Sequence, residues 1–388
     1  MRKFIRILCM LLAVMFVFSA CGGANNKNNN DDGNSSDEKV ANENPGIKLD
    51  ASELLLKKGT TKDLSVNFVP KYQGDSTDVT LTSSNEAVAT VSGKTVTAVA
   101  SGYAAITVKG GDYSATCYVT VVGEKTEFTL EYNNKTEVKD TTADPLATVS
   151  HSFGNGYIAG KVVKVTMPEG FKYLGVTIGS GVKETIVYVP GGVYEYTVPS
   201  DLSTILPSGF AVSSKISVRI PSATELATTR NVALNPYDSN KSGVTDVNAY
   251  PHVTCNNEYN KNEFGARCAI DGFTQNTGHG WYPNQSWGPN STVNMTDYLT
   301  IDFERSVLVS EIVIYLRGDF GHDGYFSTIV AEFSDGTSQI IKPKEVRNGQ
   351  TITFEAKETT FVKLTGFTCT GAQWTGLAEV EVMGIEKI

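Results

Sequence analysis

"LTIDFERSVLVSEIVIYLR", residues 299–317, decides the fold. Leu299, Ile301 and Phe303 alternate with polar neighbours, and after the intervening residues Ile312, Ile314 and Leu316 alternate again. A period of two places each set on one face of a strand. "AEVEVMG" (378–384) repeats the pattern with Val380 and Val382, so this part of the chain reads as a jelly roll. "RGDFGHDGYF" (317–326) follows the long run and precedes another strand-like stretch, "STIVAEFSDG". It packs Arg317, Asp319, His322 and Asp323 among three glycines and three aromatics, so the charges sit on a strand connection.

Strand patterns also fill the two segments before it. Residues 47–123 alternate short apolar runs with turns, the spacing of a small antiparallel sandwich. In residues 124–229, "KVVKVTMPEGF", "ETIVYVPGG", "YEYTVPSD" and "KISVRIPS" are strands punctuated by Pro and Gly, consistent with a second β-sandwich. Its His151 and the Tyr-rich "VYVPGGVYEY" offer either a ligand surface or ordinary packing. The expected class is all-β and multidomain, with the terminal domain at 230–388. At 388 residues the chain is long enough for several cores. Its net charge is −9, and residues 231–388 hold 11 Lys and Arg against 19 Asp and Glu. That balance repels a phosphate backbone and excludes nucleic acid as a partner.

The first 20 residues read as a signal peptide: Arg2, Lys3 and Arg6 precede the apolar "ILCMLLAVMFVF" (7–18). This run is shorter than the roughly 20 residues a spanning helix needs. "VFSAC" (17–21) resembles a bacterial lipoprotein lipobox, with Phe18 where Leu is usual. The resemblance implies acylation of Cys21, and hence an exported protein held at the cell membrane by lipid and exposed at the surface. Residues 21–46 are Asn-rich with almost no aliphatic bulk, the composition of a disordered tether. Cys117, Cys255, Cys268 and Cys369 then lie in a disulfide-permissive compartment. A Cys255–Cys268 bridge is expected across their 13-residue separation; the alternative is that all four are small buried hydrophobes. Neither CxxC nor HExxH occurs, so no local motif marks zinc.

"SSNEAVATVSGKTVTAVASGYAAITV" (83–108) followed by "CYVTV" (117–121) resembles a bacterial Ig-like domain of group 2, with Leu81 where Trp is frequent before the turn. Such domains act mostly as spacers. At the other end, "NVALNPY" (231–237), "ARCAIDGFTQNTGHGWYP" (266–283), "LTIDFERSVLVSEIVIYLR" and "GLAEVEVMG" (376–384) occur in the order of the discoidin-like, coagulation factor 5/8 type C fold. Carbohydrate-binding module family 32 shares that fold. The resemblance implies a galactose-binding-like sandwich whose loops gather at one end to hold a glycan or polysaccharide.

Sugar recognition needs flat aromatic surface beside planar hydrogen-bonding groups. All three tryptophans, Trp281, Trp287 and Trp374, lie in stretches rich in Gly, Pro, Asn or Thr and read as loop aromatics. In the expected site Arg317, Asp319, His322 and Asp323 form hydrogen bonds with the sugar hydroxyls, with Trp281, Tyr282 or Trp374 as the stacking wall. The plainer reading pairs Arg317 with Asp319 in a salt bridge that fixes the loop. The "RGD" at 317–319 also spells an integrin-binding tripeptide, but a strand-to-loop junction is not the exposed tip such binding requires. The family resemblance further implies a structural Ca2+ at the "AIDGFTQNT" turn. Asp271, Thr277 and Glu379 would give side-chain oxygens and Ala269 and Thr274 carbonyls, with Phe273 where Asp or Asn is common. No opposed carboxylate pair, GxSxG elbow or P-loop appears, so no enzyme is expected. Two rival readings stand beside the glycan binder: a protein-binding adhesin and a structural subunit of an envelope assembly.

Overall fold

The alternating runs become sheets throughout the computed structural model, which describes residues 46–69, 78–200, 205–238, 248–290, 296–371 and 374–388. The signal segment, Cys21 and nearly all of the tether lie outside these residues. Among the described residues no helix is long and apolar enough to cross a membrane.

In the first domain a four-stranded sheet runs Glu53–Lys57, Tyr113–Val122, Gly102–Gly110, Thr80–Ser83, its first pair parallel. Facing it are the three strands Thr61–Asp63, Thr95–Ala98 and Ala89–Ser92. Ile106, Val108, Val119 and Val121, alternating along the central hairpin, fill the core between them. Leu81 is buried in that core, at the place where Trp is frequent.

The middle segment is a sandwich of two four-stranded sheets. One runs Lys135–Asp140, Glu127–Tyr132, Val162–Thr166, Val193–Thr197; the other runs Val149–Asn155, Ser213–Arg219, Tyr173–Ile178, Thr185–Tyr188. The Tyr-rich stretch crosses between the sheets, and Tyr194 and Tyr196 point into the core. His151 packs edge-on against Phe153. Tyr194 and Tyr196 are packing residues, whereas Tyr188 is half-buried and lines a cavity with Tyr173 and Arg305.

The terminal jelly roll is built on two very long strands, Leu299–Leu316 and Gln350–Thr370, paired antiparallel at the centre of a seven-stranded sheet. Register shifts at Asp302/Val307 and Val309/Glu311 mark bulges in their pairing, and Glu304 takes the left-handed conformation at the first. Bulges bend a strand and raise its twist, which lets one strand serve both layers of a sandwich. Leu299, Ile301, Phe303, Ile312, Ile314 and Leu316 are all fully buried, as the alternation requires.

The domains share buried junctions. Tyr103 of the first packs into the middle domain's core and donates its hydroxyl to the Pro221 carbonyl at 3.0 Å. Between the middle and terminal domains, Arg305 makes two bonds to the fully buried Glu386, at 2.6 and 3.0 Å. Arg230 and the Tyr173 hydroxyl bind the same carboxylate, and the Arg305 guanidinium lies 5.7 and 5.4 Å from the Tyr173 and Tyr188 ring centroids.

Candidate functional site

The long strand delivers Arg317 to one end of the jelly roll, where backbone bonds tie several loops together. Arg317 N–H donates to the Gly376 carbonyl at 2.9 Å and Gly324 N–H to the Trp374 carbonyl at 2.7 Å, which joins the 317–324 loop to the turn before the last strand. Trp287 and Leu377 exchange both of their backbone bonds. Gly288 N–H reaches the Phe264 carbonyl, and its own carbonyl accepts from Tyr259. Gly376 has to be small, because a Cβ there would stand 2.7 Å from the Trp287 carbonyl oxygen.

These ties frame a cleft of about 200 Å³ lined by Tyr259, Phe264, His279, Arg317, His322, Asp323 and Trp374, with Gly288 and Pro289 between them. Its aromatic side is a chain of edge-to-face rings, Phe264 against Tyr259 at 5.7 Å and Tyr259 against Trp374 at 6.1 Å. Tyr259 and Trp374 are 54% and 38% exposed, large apolar faces left open to solvent. On the polar side Arg317 Nε donates to Asp323 Oδ2 at 2.6 Å, and both side chains are buried. The guanidinium also sits 5.6 Å from the Phe264 ring centroid. Asp323 Oδ1 meets His322 Nδ1 at 2.8 Å, and Asp319 Oδ2 meets His279 Nδ1 at 3.0 Å.

Arg317, His322, Asp323 and Trp374 are thus brought together, with Asp319 one contact away through His279. The partner of Arg317 is Asp323 rather than Asp319: His322 N–H and Asp323 N–H both bond the Asp319 carbonyl, a turn that folds Asp323 back onto the strand end. Trp281 and Tyr282 do not line the cleft. Trp281 is 66% exposed and Tyr282 packs edge-on against Phe273 at 5.0 Å. Trp287 is no loop aromatic either; its fully buried ring stacks on Phe326 in the core and its Nε1–H bonds the Asn257 carbonyl. The wall is completed instead by Tyr259 and Phe264, out of "NNEYNKNEF" (256–264), where no periodicity signals them. His279 and the buried Asn276 are the other unanticipated residues. Asn276 Nδ2–H donates to the Leu316 and Arg347 carbonyls at 2.9 and 2.7 Å and so pins the strand end beneath the cleft.

The expected disulfide is not formed. Cys255 Sγ lies 3.6 Å from Glu258, at the end of strand His252–Cys255, while Cys268 is buried in the turn Ala266–Ala269 and donates toward the Asn262 carbonyl. Burial pushes both thiols up to about 12, which keeps them protonated and inert.

At the Asp271 turn, Asp271 and Glu379 are both buried, and Glu379 Oε2 accepts from Gly272 N–H at 3.0 Å. Burial pushes Asp271 up to about 7; it also pushes Glu379 well above the carboxylate range, and the Asp271 charge adds to that shift. Glu379 Oε1 and Gln285 Oε1 are buried without a hydrogen-bond partner among the described residues, and Gln285 Nε2–H bonds Asp271 Oδ2 at 3.2 Å. Hard oxygen donors that are buried and unmatched fit a calcium ion, which would neutralise the two carboxylates. Ala269 is buried beside the turn, but Thr274 and Thr277 are exposed, and Thr277 Oγ1 accepts from Gln275. Gln285, bonded to Asp271, adds a buried amide oxygen to the same turn. Phe273 occupies its unusual place because it packs against the core of the middle domain.

Residues 44–121 match the family model of the bacterial Ig-like domain (group 2), and residues 252–380 that of the F5/8 type C domain. No curated protein matches the chain. Among solved structures, the family 32 CBM of C. perfringens NanJ in complex with galactose is 20% identical over 34% of this chain and 91% of its own, with a TM-score of 0.27. The lectin domain of lectinolysin complexed with Lewis B antigen is 17% identical over 39% and 95%, with a TM-score of 0.28. Chitosan-binding module 1 of a Paenibacillus sp. IK-5 chitosanase/glucanase is 17% identical over 39% and 98%, also with a TM-score of 0.28. The chain therefore joins a bacterial Ig-like domain of group 2, near its start, to an F5/8 type C domain at its end, with a β-sandwich between them.

Proposed function

We propose that the protein is a non-catalytic carbohydrate-binding protein that holds glycan in the cleft of its F5/8 type C domain. The observation that carries this reading is the meeting of an open aromatic wall, Tyr259 and Trp374, with a charge-fixed polar floor, Arg317, Asp323 and His322. A pyranose presents an apolar face and a ring of hydroxyls, and the two sides of the cleft complement them. At about 200 Å³ the cleft is below the roughly 300–1,000 Å³ usual for small-molecule pockets, a size for one sugar residue and weak single-site affinity. Both oxygens of Asp323 are engaged, by Arg317 and by His322, so this carboxylate fixes the polar floor of the cleft. In this reading calcium at Asp271, Glu379 and Gln285 fixes the loop fold, and the Ig-like domain is a spacer. The lipobox-like "VFSAC" supports attachment of Cys21 to the membrane, with the cleft presented at the cell surface.

The test is glycan retention by Trp374→Ala and Tyr259→Ala. Both side chains are open to solvent, and the Trp374 carbonyl that ties the loops remains, so stability should change by no more than about 1 kcal/mol. Binding on a glycan array should fall at least tenfold, and a free monosaccharide should compete with the wild type. Retention unchanged in both variants rejects the cleft as the site. Binding that no sugar competes favours the protein-binding adhesin.

A further inference from the structure

Two of the four histidines of the chain meet at the rim of the cleft. The rings of His279 and His322 lie 4.9 Å apart and 20° from parallel. One ligating atom from each of His279, Asp319, His322 and Asp323 lies within 4.8 Å of every other. Nitrogen and oxygen ligands around a tetrahedral zinc ion, at bonds of about 2.0–2.1 Å, stand about 3.3 Å from one another. The cluster therefore has to close by about 1.5 Å at most. Three of its members are free to do so, since the side chains of His279, Asp319 and His322 are 40%, 30% and 57% exposed. Asp323 is not: its side chain is 1% exposed and is held by Arg317.

We propose that His279, His322 and Asp319 form a binding site for a divalent transition-metal ion, with Asp323 as the buried carboxylate that orients His322 and a fourth coordination position open to the cleft. Two imidazoles select a borderline ion such as Zn2+ over Ca2+ or Mg2+, which take oxygen. A carboxylate on the second nitrogen of a ligating histidine fixes the ring and raises its basicity, the relation Asp323 already has to His322. The ligands come from two loops, His279 and Asp319 being 40 residues apart, which is why no local spacing motif announces the site. It is separate from the all-oxygen set at Asp271 and does not depend on the glycan reading.

The experiment is calorimetric titration of Zn2+ into the full chain, without sugar and with excess Ca2+ to occupy oxygen-only sites. Wild type should bind one ion per chain. His279→Ala and His322→Ala should each weaken it at least tenfold, while His151→Ala, in the middle domain, leaves it unchanged. Co2+ should give the visible absorption of a four-coordinate site in the wild type and lose it in both histidine variants. Both histidines are on the surface, so unchanged melting temperatures separate ligand loss from misfolding. Absence of saturable binding at millimolar Zn2+, or binding of equal strength in both histidine variants, overturns the proposal.

Discussion

Arg317→Ala should be a stability variant before it is a binding variant. The guanidinium and the Asp323 carboxylate are both buried, at 2.6 Å. Removing one member of such a pair leaves an uncompensated buried charge, at a cost of about 3–5 kcal/mol, whereas a surface change costs about 0.5 or less. For a domain of this size each kcal/mol moves the melting temperature by about 2–4 °C, so the midpoint should drop by roughly 6 to 20 °C. All three tryptophans belong to the terminal domain, and Trp287 is fully buried, so tryptophan fluorescence follows the unfolding of this domain without contribution from the other two. The double variant Arg317→Ala/Asp323→Ala should lose less than the sum of the two single losses, by about 1 kcal/mol or more, because the second change removes the stranded charge. A single variant that melts within 2 °C of wild type, or strict additivity in the double, would refute the claim that the pair is a buried structural unit.

Asn276→Ala deprives the Leu316 and Arg347 carbonyls of their donor and should cost about 2 kcal/mol in urea denaturation, with weaker glycan retention as the strand end loosens. Calcium should raise the midpoint of the terminal domain, by an amount equivalent to about 2.7 kcal/mol at 100 times its dissociation constant; a chelator or Asp271→Asn should abolish the gain. His252 is mostly buried, which favours its neutral form, but Asp238 at 2.8 Å from Nδ1 wins and holds the ring above its ordinary value. A raised value in the folded state means that the contribution of this pair is complete below about pH 6.5 and is lost as pH rises through the folded value. Denaturation at pH 6 and pH 8 should show this difference, and His252→Gln should remove it.

The strands were legible because alternation is a local property: Leu299, Ile301 and Phe303 declare their face without reference to any other part of the chain. The site was legible only in part, because its members are joined by contacts that no local pattern encodes. Arg317 and Asp323 stand within one ten-residue connection, yet only the turn closed on the Asp319 carbonyl makes them partners in preference to Arg317 and Asp319. Trp287, among Pro, Gly and Asn, has the surroundings of a loop aromatic, but its exchange of bonds with Leu377 carries the ring inward. Tyr259 and Phe264 come from a polar stretch with no period, and they acquire a role only when Gly288 brings that stretch beside Arg317. The cysteines misled for a related reason. A 13-residue separation permits a bridge, but the strand and the turn that carry Cys255 and Cys268 send the two sulfurs to different neighbours.

The Glu386 carboxylate, gripped by Arg305 and Arg230 and touched by the Tyr173 hydroxyl, sits where the last strand meets the middle sandwich. Because Tyr173 comes from the middle domain and Glu386 from the last strand, that knot ties the two domains by charge and hydrogen bonds rather than by a bare linker.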